Sequence, residues 1–256
     1  MKRLLVLLGV VAVLAASCGS TGDTTTTTAA PATTVAPTTT TEPATTTSIA
    51  PTTTAAPATT TTLPGEPMDF GPAAGDQIAV VGVAYDDVLN LRAAPGTDQE
   101  ILLGLAPTYE DMIAKGNTRR LPASIWYEVD AAGATGWVSS RFVAYIGATE
   151  DVTALVVDRF GEIPSAETML DLGDAVADVM KSQGEPESRI TVTVAPDVGD
   201  VGEVTIDIIG FGDDALFGLR LVIFGQPLGS GEGFSLMSVE STALCGRGVS
   251  ADGLCA

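Results

Sequence analysis

Ile190-Thr191-Val192-Thr193-Val194, followed by Val204-Thr205-Ile206-Asp207-Ile208, decides the fold of the C-terminal half. Apolar and polar residues alternate with a period of two, so each strand presents one apolar face. The alternation returns at Leu219, Leu221 and Ile223, and again at Phe234 and Leu236. Gly212-Asp213-Asp214 supplies a tight turn between the second and third of these strands. Strands joined this closely read as an antiparallel meander.

Upstream of the meander the period lengthens. Thr149 is placed to cap a short helix, with Glu150 and Asp151 in its first turn, Val152, Leu155, Val156 and Phe160 on one face, and Gly161 past its end. A second helix is predicted from Ser165, after Pro164, to about Gln183, where Gly184 ends it. Its apolar residues Met169, Leu172, Val176, Val179 and Met180 keep three-four spacing. Two helices and then a meander make an α+β domain over residues 148–256, with the helices against one sheet face.

Residues 77–146 read as short strands broken by turns. Ile78 to Val83 is a compact apolar run; Val88-Leu89-Asn90-Leu91-Arg92 alternates before a Pro95-Gly96 turn. Ile101 to Leu105, Trp126-Tyr127-Glu128-Val129 and Gly136-Trp137-Val138 add further strand candidates. Short strands at this spacing predict a small barrel.

The order and spacing of Leu89-Asn90-Leu91-Arg92, Pro95-Gly96, Trp126-Tyr127-Glu128-Val129, Gly136-Trp137-Val138-Ser139-Ser140 and Phe142-Val143 resemble the bacterial SH3 family across about residues 75–147. The resemblance implies a small antiparallel barrel in a cell-envelope protein, with peptidoglycan or another wall component as ligand. Trp126, Tyr127 and Trp137 are the candidate ligand contacts, because aromatic faces stack on sugars and peptide stems. For each, barrel core or rim is the weightier alternative, since large amphipathic side chains commonly fill such positions. Ala106 to Ser124, with Arg119-Arg120, departs from the family pattern and reads as a long polar loop, best taken as a surface insertion. The expected fold class is therefore mostly β of the α+β kind: a small SH3-like β-barrel followed by the α+β domain.

The N-terminus carries an address. Lys2 and Arg3 precede an apolar run from Leu4 to Ala16, too short to span a bilayer but suited to a signal segment over residues 1–17. Leu14-Ala15-Ala16-Ser17-Cys18 resembles the bacterial lipobox, which implies lipidation of Cys18 and an extracytoplasmic protein held on the cell membrane. Residues 18–67 are Thr, Ala and Pro with almost nothing to bury, and read as a disordered tether. Such a tether reaches about 140 Å fully extended and nearer about 40 Å as a coil. Modification of Cys18 leaves Cys245 and Cys255 as an even pair, expected to form a disulfide in an oxidising compartment.

Composition removes whole classes of function. There are 32 acidic against 12 basic residues, a net charge of −20, which argues against nucleic acid as partner. Histidine is absent, so Ser-His-Asp and Cys-His catalysis and imidazole metal sites are excluded. A Ser-Lys pair would have to use Lys115 or Lys181. Calcium would have to use Asp197, Asp200 and Glu203, or Asp213 and Asp214, and neither stretch matches an EF-hand loop. No catalytic residue, metal ligand or cofactor is assigned. The leading expectation is a non-enzymatic, lipid-anchored envelope protein whose barrel binds peptidoglycan or an envelope protein. The alternatives are a protein-interaction or sensory lipoprotein acting through the α+β domain, and a hydrolase using carboxylates.

Overall fold

The structure is a computed structural model built mainly of antiparallel strands. It describes residues 62–181, 187–229 and 232–256. The signal segment, Cys18 and most of the tether lie outside the described residues. In chain order the strands are β1 (Glu66–Met68), β2 (Gln77–Val80), β3 (Leu89–Arg92), β4 (Ile101–Leu105), β5 (Met112–Leu121), β6 (Ser124–Ala131), β7 (Ala134–Ser139) and β8 (Val143–Asp151). Helix α1 (Thr153–Phe160), the two-residue β9 (Ser165–Ala166) and helix α2 (Met169–Met180) follow. The chain then finishes with β10 (Arg189–Val198), β11 (Gly202–Ile209), β12 (Leu216–Pro227) and β13 (Phe234–Cys245). Among the described residues strands dominate and two α-helices accompany them, the mostly β, α+β class expected. Among the described residues no helix is long and apolar enough to cross a membrane.

One antiparallel ladder runs β10-β11-β12-β13-β8-β2-β5-β6-β7-β3-β4, with β1 on β5 and β9 on β13. Ile78 of β2 and Leu105 of β4 lie far apart along this ladder, yet they share one core with Leu91, Met112, Val129 and Val138. The N-terminal sheet therefore folds over on itself and encloses its apolar face.

Within that sheet, two expectations are corrected. Ala106 to Ser124 is not a surface insertion: most of it is β5, ten residues long and paired with β6. Met112, Ala114 and Thr118 point inward, while Lys115 meets Asp130 and Asn117 meets Glu128 on the outside. A register shift between Ala114 and Thr118 breaks the alternation, and that break hides the strand in the sequence. The tether also ends earlier than residue 67, because Glu66 and Pro67 pair with Arg120 and Arg119.

In the C-terminal part, Val204, Ile206 and Ile208 of β11 and Leu221 and Ile223 of β12 face the helices. Leu172, Val176 and Met180 of α2 and Val156 of α1 cover them. Both helices start later than predicted. Thr149 to Asp151 continue β8 against Thr242, Ser241 and Glu240, and the Asp151 carboxylate accepts the Thr153 amide at 2.8 Å. Ser165 and Ala166 pair with β13, so α2 begins after Thr168, whose hydroxyl accepts the Asp171 amide at 3.1 Å. The predicted end of α2, Gln183 and Gly184, lies outside the described residues.

The boundary expected between 147 and 148 falls inside a strand. Val143 and Ala144 of β8 pair with β2, and its residues from Tyr145 onward pair with β13. The second face of the C-terminal sheet is apolar here too: Ile209 and Leu244 pack with Val81 and Ala144. The described residues belong to one compact unit. Helices cover one face of the C-terminal sheet, and β2 and β8 lie against the other.

Candidate functional site

The β6–β7 register sets Trp126 opposite Ser139 and Glu128 opposite Trp137. Side chains two apart share a face, so Trp126 and Trp137 are diagonal neighbours on one side of the hairpin. Tyr127 points to the other side with Val129 and Val138, against the enclosed core. Trp126 and Trp137 are only 2% and 3% exposed, and the Trp126 indole donates to the Ser124 hydroxyl at 2.9 Å. Burial pushes the Tyr127 hydroxyl pKa up, and its hydrogen bond with Ser140 pulls it partly back. The three aromatic residues therefore do not converge on one surface. Trp126 lines a cavity on its side of the hairpin.

That cavity, of about 280 Å³, is lined by Trp126 and Phe142 on its apolar side and by Asp87, Asn90, Arg92 and Ser139 on its polar side. A larger one, of about 660 Å³, adjoins it; Thr97, Ser139 and Phe142 line both. The second adds Arg120, Arg141, Ser124 and Ser140. Together they form a groove lined by Trp126 and Phe142, several hydroxyl side chains and three arginines. Pockets that combine apolar walls with a few convergent polar groups are the usual form of a small-ligand site.

The basic side chains differ in their partners: Arg119 and Arg159 donate to the Gly65 and Val179 carbonyls. Lys115, Lys181, Arg220 and Arg247 each meet a carboxylate: Asp130, Asp178, Asp207 and Asp214. Arg120 and Arg141 have no carboxylate partner among the described residues. Arg92 spends one N–H on the Gln99 carbonyl at 2.7 Å. Arg189 lies over the Phe142 ring at 5.3 Å and donates to the Gly82 carbonyl at 3.2 Å. Its pKa is lowered by burial and by the positive charge of Arg141. Asp87, the acidic residue lining the groove, accepts its neighbour's Val88 amide at 2.8 Å.

Nothing in this arrangement pairs a nucleophile with a base. Lys115 and Lys181 are tied to carboxylates, and the Asp213 carboxylate accepts the Ala215 and Leu216 amides at 2.7 and 3.1 Å, shaping the β11–β12 turn. Asp197 and Glu203 face each other across the β10–β11 hairpin. Among the described residues no group of three or more Cys, Asp or Glu is gathered to hold a metal. Cys245 and Cys255 form a disulfide, with their Cα atoms 5.1 Å apart.

Sequence reasoning singled out the aromatic residues and passed over the arginines. Arg119-Arg120 was legible only as a feature of an apparent loop, Arg92 only as part of an alternating run, and Arg141 not at all. Their scarcity was the available signal: in a chain with 12 basic residues, each unpaired one is informative. Compared with protein-family models, with curated proteins and with solved structures, the chain matches none.

Proposed function

We propose that this chain is an exported lipoprotein, anchored through Cys18 and carried on its Thr/Pro-rich tether, whose N-terminal barrel binds peptidoglycan or another envelope component without catalysing a reaction. The observation that carries the reading is the groove along Trp126, Phe142, Arg92, Arg120 and Arg141, concave, mixed in polarity and open to a ligand. The lipobox-like Leu14 to Cys18 and the composition of residues 18–67 support the location. The absence of histidine supports a binding role, because the hydrolases that accompany bacterial SH3 domains work through Cys and His.

The test is co-sedimentation of the chain from Gly19 onward with purified sacculi at moderate salt. Retention that saturates with protein concentration is the expected result. A supernatant that keeps all of the protein would end the wall-binding reading and turn attention to a protein partner.

A further inference from the structure

Three guanidinium groups border one groove in a chain of net charge −20, and two of them, Arg120 and Arg141, have no carboxylate partner among the described residues. Gathering like charges raises the free energy of the unliganded site, and an incoming anion lowers it. The strain registers on a neighbour: Arg189, after the effect of burial, is disfavoured as a cation by Arg141. Acidic residues outnumber basic ones by 20; Glu66 stands opposite Arg120 in the β1–β5 ladder and Asp87 lines the first cavity, yet among the described residues neither closes an ion pair with Arg120 or Arg141.

We propose that the groove is a carboxylate-recognition site, in which Arg92, Arg120 and Arg141 hold the free carboxylate of a peptide while Trp126 and Phe142 pack its side chains. This deepens the wall-binding reading and rests on its choice of groove. The planar guanidinium fork matches a carboxylate through two parallel hydrogen bonds, a geometry that a lysine point charge lacks. Hydroxyls of Thr97, Ser139 and Ser140 line the second cavity and can accept from or donate to a peptide backbone. Asp87 lines the same cavity as Arg92 and disfavours an extended polyanion there. A single peptide carboxylate, rather than a nucleic acid or a phosphate polymer, fits a groove that mixes arginines with an acidic residue.

The experiment titrates the chain from Gly19 onward with N-acetyl-alanyl-alanine and with the amide of the same peptide, reading tryptophan fluorescence, since Trp126 lines the first cavity. The free acid is expected to give a saturable change and the amide to bind about tenfold more weakly or worse, because hydrogen bonds to a charged group are the strong ones. Arg120→Gln with Arg141→Gln, both exposed, is expected to erase the preference for the acid while urea unfolding stays as in wild type. Equal affinity for acid and amide, or no saturable response to the acid, overturns the proposal. A second arm uses sacculi whose free carboxylates have been converted to amides. Undiminished retention there overturns carboxylate recognition and leaves wall binding standing. Acid-selective peptide binding with no retention on native sacculi does the reverse.

Discussion

Asp207 and Arg220 stand directly opposite each other on β11 and β12, and the Arg220 Nε donates to the Asp207 carboxylate at 2.8 Å with both side chains buried. Each then reaches across to the N-terminal half. Asp207 accepts the Gly82 amide at 2.8 Å, and Arg220 donates to the Val80 carbonyl at 2.8 Å and meets Glu110 at 3.2 Å. A desolvated pair holds its ground only when its remaining lone pairs and protons are satisfied, and here Val80, Gly82 and Glu110 satisfy them. Arg220→Met leaves Asp207 charged and buried, and removing one partner of such a pair costs about 3–5 kcal/mol. Asp207→Leu added to Arg220→Met should recover much of that loss. Urea unfolding checks both, and because β8 is shared, one cooperative transition is expected throughout. Two separate transitions, or an Arg220→Met midpoint equal to wild type, would count against this account of the join.

The β6–β7 hairpin turns on Ala132 and Gly133, whose φ values are 49° and 82°. Ala131 and Ala134 pair directly, so this is a two-residue turn with both central residues left-handed, the geometry that Asn-Gly favours. Alanine is strained there, while its amide donates to the Tyr109 hydroxyl at 2.9 Å and holds the turn in place. Ala132→Asn keeps the amide and relieves the strain, a gain of about 1 kcal/mol. Thermal melting should show it as a higher Tm; an unchanged or lower one would mean the turn is not left-handed in solution.

Strand positions were legible wherever apolar residues alternate: Ile190 to Val194, Val204 to Ile208 and Leu219 to Ile223 all lie in strands, with their apolar residues toward the helices or close to them except Val194, which a register shift after Val192 leaves exposed while Thr193 is buried. Alternation failed at β5, where the register shift between Ala114 and Thr118 puts out of phase a strand that also carries paired charges on its outer face. Helix starts were misplaced because capping residues compete for strand edges. Thr149 and Ser165 have the right chemistry to begin a helix, yet each pairs with β13. Long-range pairing of that kind leaves no local signature. The groove was half legible: Trp126 was named from its motif, but the arginines that border the groove with it come from β3, β5 and the turn after β7.

Trp137 shows why aromatic residues are poor handles for testing the groove. It is 3% exposed, lines neither cavity, and sits between Glu128 and Arg92 in the ladder. Trp137→Ala should destabilise the fold by about 3–5 kcal/mol, the usual cost of deleting a buried indole. Any loss of wall binding in that variant would then follow from unfolding, and chemical denaturation should reveal it. Trp126→Phe is the gentler change, keeping an aromatic wall while losing the hydrogen bond to Ser124. If Trp137→Ala melts like wild type, the indole is not packed as described.

Acid stability depends on three carboxylates whose pKa values are held below the ordinary range. Lys115 and then Thr135 lower Asp130 through hydrogen bonds, Thr153 lowers Asp151, and the Ala215 and Leu216 amides lower Asp213. A depressed folded pKa means that the unfolded chain takes up protons first as the pH falls. The stability these groups contribute is therefore complete above the unfolded carboxylate value of about 3.9 and is lost as the pH drops from there through their folded values. Asp174 runs the other way, raised by burial and by Asp171, and returns part of the loss on protonation. All three depressed groups are exposed, so each effect is small, and relief of repulsion among 32 acidic residues overlays it. Comparing wild type with Asp130→Asn and Asp213→Asn separates the two, since asparagine keeps an acceptor and loses the titration. The variants should be less stable than wild type at pH 6 and converge on it below about pH 3, as all the ordinary carboxylates protonate. A stability gap that stays constant from pH 6 to pH 2.5 would show that these carboxylates act through shape alone.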